Sequence, residues 1–499
     1  MFHYIALNIG PIYQTLSMGR KPRELWQASY LFSHLMKCLL KAFQSNKNLE
    51  IISPNVMDSN PMQTKQEESY KQKAGIYPDR AFLKVKSSAE ISQKEIDLLL
   101  QAGLTQFTTD LELENAKHIV RDYFNVMTAS CRCETDREAV NQLNQWLNYL
   151  ELYTHAPQPG TVEVISQMLQ KTWGSPLFKL AFGKKHFDVE TLEEIAKYEK
   201  TYLHDTVSKT YHNYICIVQA DGDGMGRVVT HLPDGKLSGI SSQLALFSQQ
   251  SCQLIGKFGG MPIYAGGDDL LFIAPVWGMM KGKRQHIFQL LDNLDVAYTN
   301  TVGEAVKEQK LHDQNGNIET SITFGLSITY VKFPLYEAWK YASNQLFGKA
   351  KKNWKKKHAI AWRLQKHSGS TFEASLTRLD ADLYEAFKAL LEIPAKELIV
   401  SAVAHKLRSA EGMLDLMRKS DVDLDIRLEA FFTKVIDIED KSQTDQEYLE
   451  KVKQLLKTLF IAVPKMQKLE PDKITSHIVS MAYSMLRTAK FINGEEEKQ

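Results

Sequence analysis

The stretch that most constrains this chain is Tyr264-Ala-Gly-Gly-Asp-Asp-Leu-Leu-Phe272. An apolar segment (Pro262, Ile263, Tyr264, Ala265) runs into Gly266-Gly267, then Asp268-Asp269, then a second apolar run from Leu270 to Pro275. Two glycines between strand-like runs predict a tight hairpin, because glycine accepts the positive φ that such a turn demands. The adjacent carboxylates at its mouth are the unusual part. Like charges repel, and apolar strands beside them raise the cost of keeping both ionised. A bound cation is the simplest compensation, set against the plainer reading of a polar turn with two solvated Asp side chains.

The hairpin belongs to a regular order of elements. Tyr214 to Ala220 reads as a strand, and Ser241 to Phe258 as a helix closed by Gly259-Gly260. Hairpin strands follow at 261–265 and 270–275, then a helix over about 283–309 and a loop at Asn315-Gly316. A strand at 321–331, a helix at 335–357 and a short strand from Ala359 to Leu364 complete the unit. The order β-α-β-β-α-β is the ferredoxin-like arrangement, here with one added helix and strand.

An earlier unit echoes it. Residues 3–9 read as a buried strand broken by Gly10-Pro11, and Leu25, Trp26, Leu31, Leu35 and Leu39 fall at helical spacing from about Pro22 to Phe43. Strands at 49–54 and 80–86 flank a polar loop, and 89–102 reads as helix. Residues 108–212 turn helical, with Val140, Leu143, Trp146, Leu147 and Leu150 on one face. Beyond about 370 everything reads as helix. Stripes such as Val452, Leu455, Leu456, Leu459 and Phe460, or Ile478, Met481, Met485 and Leu486, are bundle core, and Asn493 to Gln499 is a polar tail. The expected fold class is α/β plus α: ferredoxin-like units at 1–107 and 211–368, a helical insert at 108–210 and a helical bundle at 369–499.

This layout gathers the chemistry. Asp221-Gly-Asp-Gly-Met-Gly226 ends the strand that opens the second unit. In such a sheet the first strand lies beside the third, so that end and the hairpin are expected to bring Asp221 near Asp268 and Asp269. Three carboxylates suit Mg²⁺, a hard cation with oxygen ligands, and two such ions suit an in-line displacement of pyrophosphate. Gly222, Gly224, Gly226, Gly266 and Gly267 let backbone N–H groups approach phosphate oxygens, with Asp223 in the same nucleotide-binding loop. The corresponding loop of the first unit carries Asn8 and Gly10, so one acidic site is expected, not two.

Rivals fail on particular positions. An EF-hand would need an oxygen ligand at Met225 and an acid at Leu232. Walker A and dinucleotide fingerprints are absent. His204-Asp205 and His312-Asp313 look like fragments of a metal phosphohydrolase without its further ligands. Cys131 and Cys133 with His118 or His155 make a poor zinc set, so zinc is not expected, and Cys216 and Cys252 read as core. Six of the nine residues from Lys349 to Lys357 are lysine. Lys351 is expected to turn inward toward triphosphate, the others to face solvent or RNA phosphates.

Composition sets outer limits. At 499 residues several domains are expected, and 43% apolar with 24% charged residues is ordinary for a globular protein. No stretch approaches a bilayer span, and the N-terminus lacks a signal-peptide pattern. Five irregularly spaced cysteines point to a reducing cytoplasm, while a net charge of +2 decides nothing about partners.

The Asp221 strand, the Gly-Gly-Asp-Asp hairpin and the strand and helix after Ser321 resemble nucleotide cyclases of the GGDEF type and palm polymerases. With Asn8-Ile-Gly-Pro-Ile-Tyr13, Arg20-Lys-Pro-Arg-Glu-Leu-Trp-Gln-Ala-Ser-Tyr-Leu31 and Ile76-Tyr-Pro-Asp-Arg-Ala-Phe82, nearly the whole chain resembles the large polymerase-cyclase subunit of type III-B CRISPR effector complexes. The resemblance makes both ferredoxin-like units palms and implies an ATP-using nucleotidyltransferase, activated by target RNA within a complex with CRISPR RNA and other Cas subunits. Its metals, Mg²⁺ or Mn²⁺, would lie on Asp221, Asp268 and Asp269. Its product would be an antiviral second messenger, either a cyclic oligoadenylate or AMP joined to S-adenosylmethionine. The chain opens directly on the first palm, so the HD nuclease of many relatives is not expected, and their paired Cys-x-x-Cys zinc ligands are missing from the insert. The alternative is a scaffold for RNA and subunits whose catalysis has lapsed, against which stands the intact acidic set. A stand-alone diguanylate cyclase fits less well, because both palms occur in one chain.

Overall fold

The computed structural model describes residues 1–56, 74–86, 90–113, 117–171, 174–182, 191–314, 316–394, 396–436 and 442–494. Most of the polar loop before the strand at 80, Asn315 of the expected turn, and residues 495–499 of the tail lie outside them. The chain divides into two compact units, one of residues 1–192, 224–273 and 290–321, the other of 193–223, 274–289 and 322–499.

The first unit opens with β1 (Phe2–Gly10), β2 (Leu49–Ser53), β3 (Arg80–Val85) and β4 (Asn125–Cys133) in the order β2-β3-β1-β4. All three pairings are antiparallel, with Leu7 opposite Ala81 on one side and Thr128 on the other. The helix Pro22–Gln44 starts on Pro22, whose missing N–H costs nothing in a first turn, and buries Leu25, Trp26, Leu31, Leu35 and Leu39. The helix Gln93–Asp110, fastened by a Ser92/Glu95 capping box, packs closely on it. Gly103 makes that approach possible, since a Cβ there would lie 2.9 Å from Leu39 Cα.

β4 corrects the expectation of an all-helical segment. Helices do occupy Asp136–Glu151, Pro159–Gln170 and Pro176–Phe182, but β4 pairs along β1 from Phe2↔Cys133 to Gly10↔Asn125. Its inner face is small and sulfur-bearing, a weak strand signal. Cys131 and Cys133 lie in the core with Tyr4, Ala6, Phe82, Ala139 and Leu143.

Along the chain follow β5 (Tyr214–Asp223), β6 (Met261–Gly266), β7 (Asp269–Pro275), the short hairpins β8 (Trp277–Met280) to β9 (Lys283–His286) and β10 (His312–Asp313) to β11 (Gly316–Asn317), then β12 (Ser321–Tyr330), β13 (Ala359–Gln365) and β14 (Thr371–Thr377). The six-stranded sheet has the order β14-β13-β12-β5-β7-β6, in which β12-β5-β7-β6 repeats the order of the first sheet. Both are ferredoxin-like. The second is extended by β13, parallel to β12, and β14, antiparallel to β13.

Three boundaries differ from expectation. β5 runs on through Asp223, so the acids lie on a strand end rather than in a loop. Lys283–His286 is a strand because Lys281 (φ 51°) and Gly282 (φ 76°) turn the chain back, and the helix begins at Ile287. β14 precedes the C-terminal helices, its Phe372, Ala374 and Leu376 alternating inward. In those helices the expected stripes are buried. Trp362 of β13 joins them to the sheet, stacked on Phe387 at 4.9 Å and donating to Thr488 Oγ1 at 3.0 Å. Among the described residues, no helix is long and apolar enough to cross a membrane.

Candidate nucleotide and metal site

Asp221 and Asp223 are two apart on β5, so their side chains share a face. Lys351 lies across them. Its Nζ is 2.5 Å from Asp221 Oδ2, 3.5 Å from Asp223 Oδ1 and 3.2 Å from the Gly222 carbonyl. The two acids have different surroundings. Asp223 is buried, and its Oδ2 accepts from Thr323 Oγ1 at 2.6 Å and from the His358 N–H at 3.1 Å. Asp221 is partly open to solvent. Gly224 follows at φ 80° as the N-cap of Met225–His231.

Lys351 reaches the acids from the end of a helix that begins at Leu335, passes through a π-helical segment, Asn344–Ala350, and resumes at Lys351. An extra residue per turn rotates the helix beyond it, and such bulges are frequent at functional sites. Elsewhere in the basic run Lys349 pairs with Glu373, which Arg363 also binds, and Lys352, Lys355, Lys356 and Lys357 are exposed. Lys351 alone of the run is drawn onto the β5 acids in the pairings described.

In the hairpin Gly266 pairs with Asp269, leaving Gly267-Asp268 as a two-residue loop. Gly267 has φ 66°, the glycine-first pattern of a type II′ turn. Gly266 is required for a different reason: the Tyr264 ring covers it, and a Cβ would lie 2.3 Å from the phenol oxygen. Burial pushes the Tyr264 phenol far above its ordinary range, and the charges of Asp79, Asp269 and Asp268 add to this. It stays protonated beside the acids. Ser248 Oγ donates to the Gly267 carbonyl at 3.3 Å. Asp268 is half-buried and Asp269 exposed. Two adjacent carboxylates at an open turn form an oxygen donor set that fits a hard divalent cation.

Tyr264, Ser248, Thr323 and His358 were not picked out from the sequence. Tyr264 carried a signal, an aromatic two residues before a glycine, and the others carried none. His312-Asp313 does not form a phosphohydrolase fragment, since Asp313 pairs with Arg227 at 2.6 Å in a short hairpin.

Residues 214–361 match the family model described as Cas10/Cmr2, second palm domain, and residues 4–115 match that of CRISPR-associated protein Cmr2, N-terminal. The CRISPR system Cmr subunit Cmr2 of Pyrococcus furiosus is 29% identical over 229 residues, which is 40% of this chain but only 24% of that protein. The match thus spans about a quarter of the curated relative's length. Among solved structures, a type III-B Cmr-beta chain in the apo state matches with TM-score 0.55 at 10% identity, covering 89% of this chain and 78% of its own. The Cmr-beta structure bound to cognate target RNA gives 0.53 at 11%, covering 89% and 80%. A Csm1–Csm4 cassette in complex with cA4 gives 0.50 at 12%, covering 98% and 70%. Those likenesses establish a shared two-palm fold. With both palms matched to their own family models, the chain belongs to the Cas10/Cmr2 family, in its Cmr2 (type III-B) branch.

Proposed function

We propose that this chain is the adenylate-forming subunit of a cytoplasmic type III-B antiviral complex, in which it works with CRISPR RNA, target RNA and other Cas subunits. Captured target RNA activates it to transfer AMP from ATP to a second adenylate or to S-adenosylmethionine, releasing pyrophosphate. Asp221, Asp268 and Asp269 hold Mg²⁺ or Mn²⁺. Bound there, the metal supplies charge stabilisation for the attacking oxygen and the departing pyrophosphate. Gly222, Gly224, Gly266 and Gly267 leave backbone N–H groups open to phosphate oxygens. Asp223, tied down by Thr323 and His358, keeps the end of β5 in place.

The observation that carries this reading is the bridge from Lys351 to Asp221 and Asp223. Paired acids on one strand face are balanced by an ammonium at the end of a long side chain. On nucleotide binding the Lys351 ammonium leaves Asp221 for the triphosphate, and Asp221 is free to ligate. Support comes also from the relatives: target RNA is named for Cmr-beta and cA4 for the Csm1–Csm4 cassette.

The test is mass spectrometry of the products of the reconstituted complex given ATP, Mg²⁺ or Mn²⁺ and target RNA, with and without S-adenosylmethionine. An adenylate product is expected, and the Asp268→Ala/Asp269→Ala variant should lose at least about 10³-fold in rate, the several kcal/mol a metal clamp provides. Full activity in that variant, or no product from the wild-type complex, overturns the proposal.

A further inference from the structure

Away from the acids of the second palm, His34, Cys38 and Asp110 bring three different ligating atoms within 4.8 Å of one another. His34 and Cys38 are four residues apart on the helix Pro22–Gln44, hence on one face. Asp110 is the last residue of the helix Gln93–Asp110. Its Oδ2 lies 2.8 Å from His34 Nε2 and 3.6 Å from Cys38 Sγ, and Cys38 Sγ lies 3.5 Å from His34 Nε2. Its other oxygen accepts from Gln106 Nε2 at 2.7 Å, which fixes the carboxylate plane.

We propose that His34, Cys38 and Asp110 form a zinc site that clasps the end of the helix Gln93–Asp110 to the helix Pro22–Gln44. Geometry is the first argument. Around tetrahedral zinc, with bonds of about 2.0 Å to nitrogen and oxygen and about 2.3 Å to sulfur, ligand atoms lie roughly 3.5 Å apart along edges that include sulfur and about 3.3 Å apart between nitrogen and oxygen. Both sulfur edges already have that length. Only the nitrogen–oxygen edge is shorter, at hydrogen-bond distance. Without metal, His34 and the Cys38 thiol both hydrogen-bond to the Asp110 carboxylate; zinc would displace the thiol proton and hold the same three atoms.

Charge is the second. A carboxylate in the last turn of a helix faces the negative end of its dipole, so a cation beside Asp110 is favourable there. Thiolate plus carboxylate cancels Zn²⁺ and leaves a neutral cluster, as burial of His34 and Cys38 requires. Gly103 is the third. By admitting the Leu39 backbone it lets the two helices close far enough for Asp110 to reach the stripe. The fourth position falls to water or to the Tyr30 phenol, one turn before His34 and stacked 6.1 Å from its ring. This site is independent of the nucleotide chemistry, and it is not the Cys131/Cys133 pair, which is core.

The full chain should retain about one zinc per molecule by elemental analysis. After chelation, Co²⁺ titration should give the intense visible bands of a tetrahedral site and a near-ultraviolet sulfur-to-cobalt band. Cys38→Ser should lose the sulfur band, and Cys131→Ser/Cys133→Ser should keep it. Because Cys38→Ser could unfold the palm, the wild-type chain provides a second readout: chelation should lower its melting temperature and Zn²⁺ should restore it. Absence of both zinc and a cobalt spectrum, a sulfur band that survives in Cys38→Ser, or a melting temperature indifferent to chelation overturns the site.

Discussion

Lys351 holds together what the two acids of β5 would otherwise drive apart. Asp223 is buried and Asp221 shares its strand face, so truncating the lysine leaves two like charges without their nearest counter-ion. Lys351→Ala should therefore cost about 1–3 kcal/mol of stability in the metal-free chain. Added Mg²⁺ should raise the melting temperature of the variant more than that of the wild type, because the ion replaces a missing charge. Equal shifts in a thermal melt would rule the idea out. Lys351→Arg should not restore activity, since a planar fork cannot replace a compact point charge. The acids stood out in the sequence by their spacing, Asp-Gly-Asp at a strand end and Gly-Gly-Asp-Asp at a turn, and the first pair does share one face of β5 under Lys351. Thr323 and His358 did not stand out. One comes from a strand a hundred residues away, and the other contributes a backbone N–H that no side-chain pattern reports.

At the scale of elements, the helix carrying Lys351 rests directly on β12. A Cβ at Gly325 would lie 2.3 Å from the Leu346 nitrogen and 2.4 Å from the Ala342 oxygen, both backbone atoms that cannot swing aside. Gly325→Ala should cost about 1–3 kcal/mol in urea unfolding. It should also lower adenylate synthesis by displacing Lys351. Gly303→Ala is the control, because its Cβ would meet nothing nearer than 3.7 Å in a helical segment, and it should be neutral or stabilising by up to about 1 kcal/mol. A loss equal to that of Gly325→Ala in the control would remove the steric explanation. Strands rich in large apolar residues, such as β5, β6 and β12, were readable from sequence. β4 was not, because Ala129, Cys131 and Cys133 are too small to mark a buried face and its place is set by pairing with β1. β14 alternates correctly, but it is only seven residues beside a long helical region and is specified by its register on β13.

For the whole molecule the two sheets share one strand order, yet only the second combines Asp-Gly-Asp with a Gly-Gly-Asp-Asp hairpin. In the first palm Asn8 is a buried neutral side chain whose Nδ2 donates to Glu151 at 2.6 Å, a structural use of the strand end. Global stability should respond to pH through histidines rather than through the site. Burial pushes His286 down to about 4, with Lys388 adding to it, and lowers His3 and His477 in the same way. The His286 ring is therefore neutral in the fold over the range in which the unfolded chain takes up its proton, near pH 6.5. Between pH 6.5 and about 4 the unfolded state then binds more protons, so stability rises with pH and is lost on acidification. Carboxylates held low, such as Asp415 at about 2 under hydrogen bonds from Lys419 and Thr475, act only as the unfolded chain titrates near pH 4. On acidification from pH 7 the lowered histidines therefore act before these carboxylates. For His286, 1% exposed, the loss from pH 7 to pH 5 is about 2 kcal/mol. His286→Phe keeps the edge-on packing against Trp277 and Phe288 and removes the titration. Urea unfolding at the two pH values should show the variant losing about 2 kcal/mol less than the wild type, and an unchanged difference would mean that the ring is protonated in the fold.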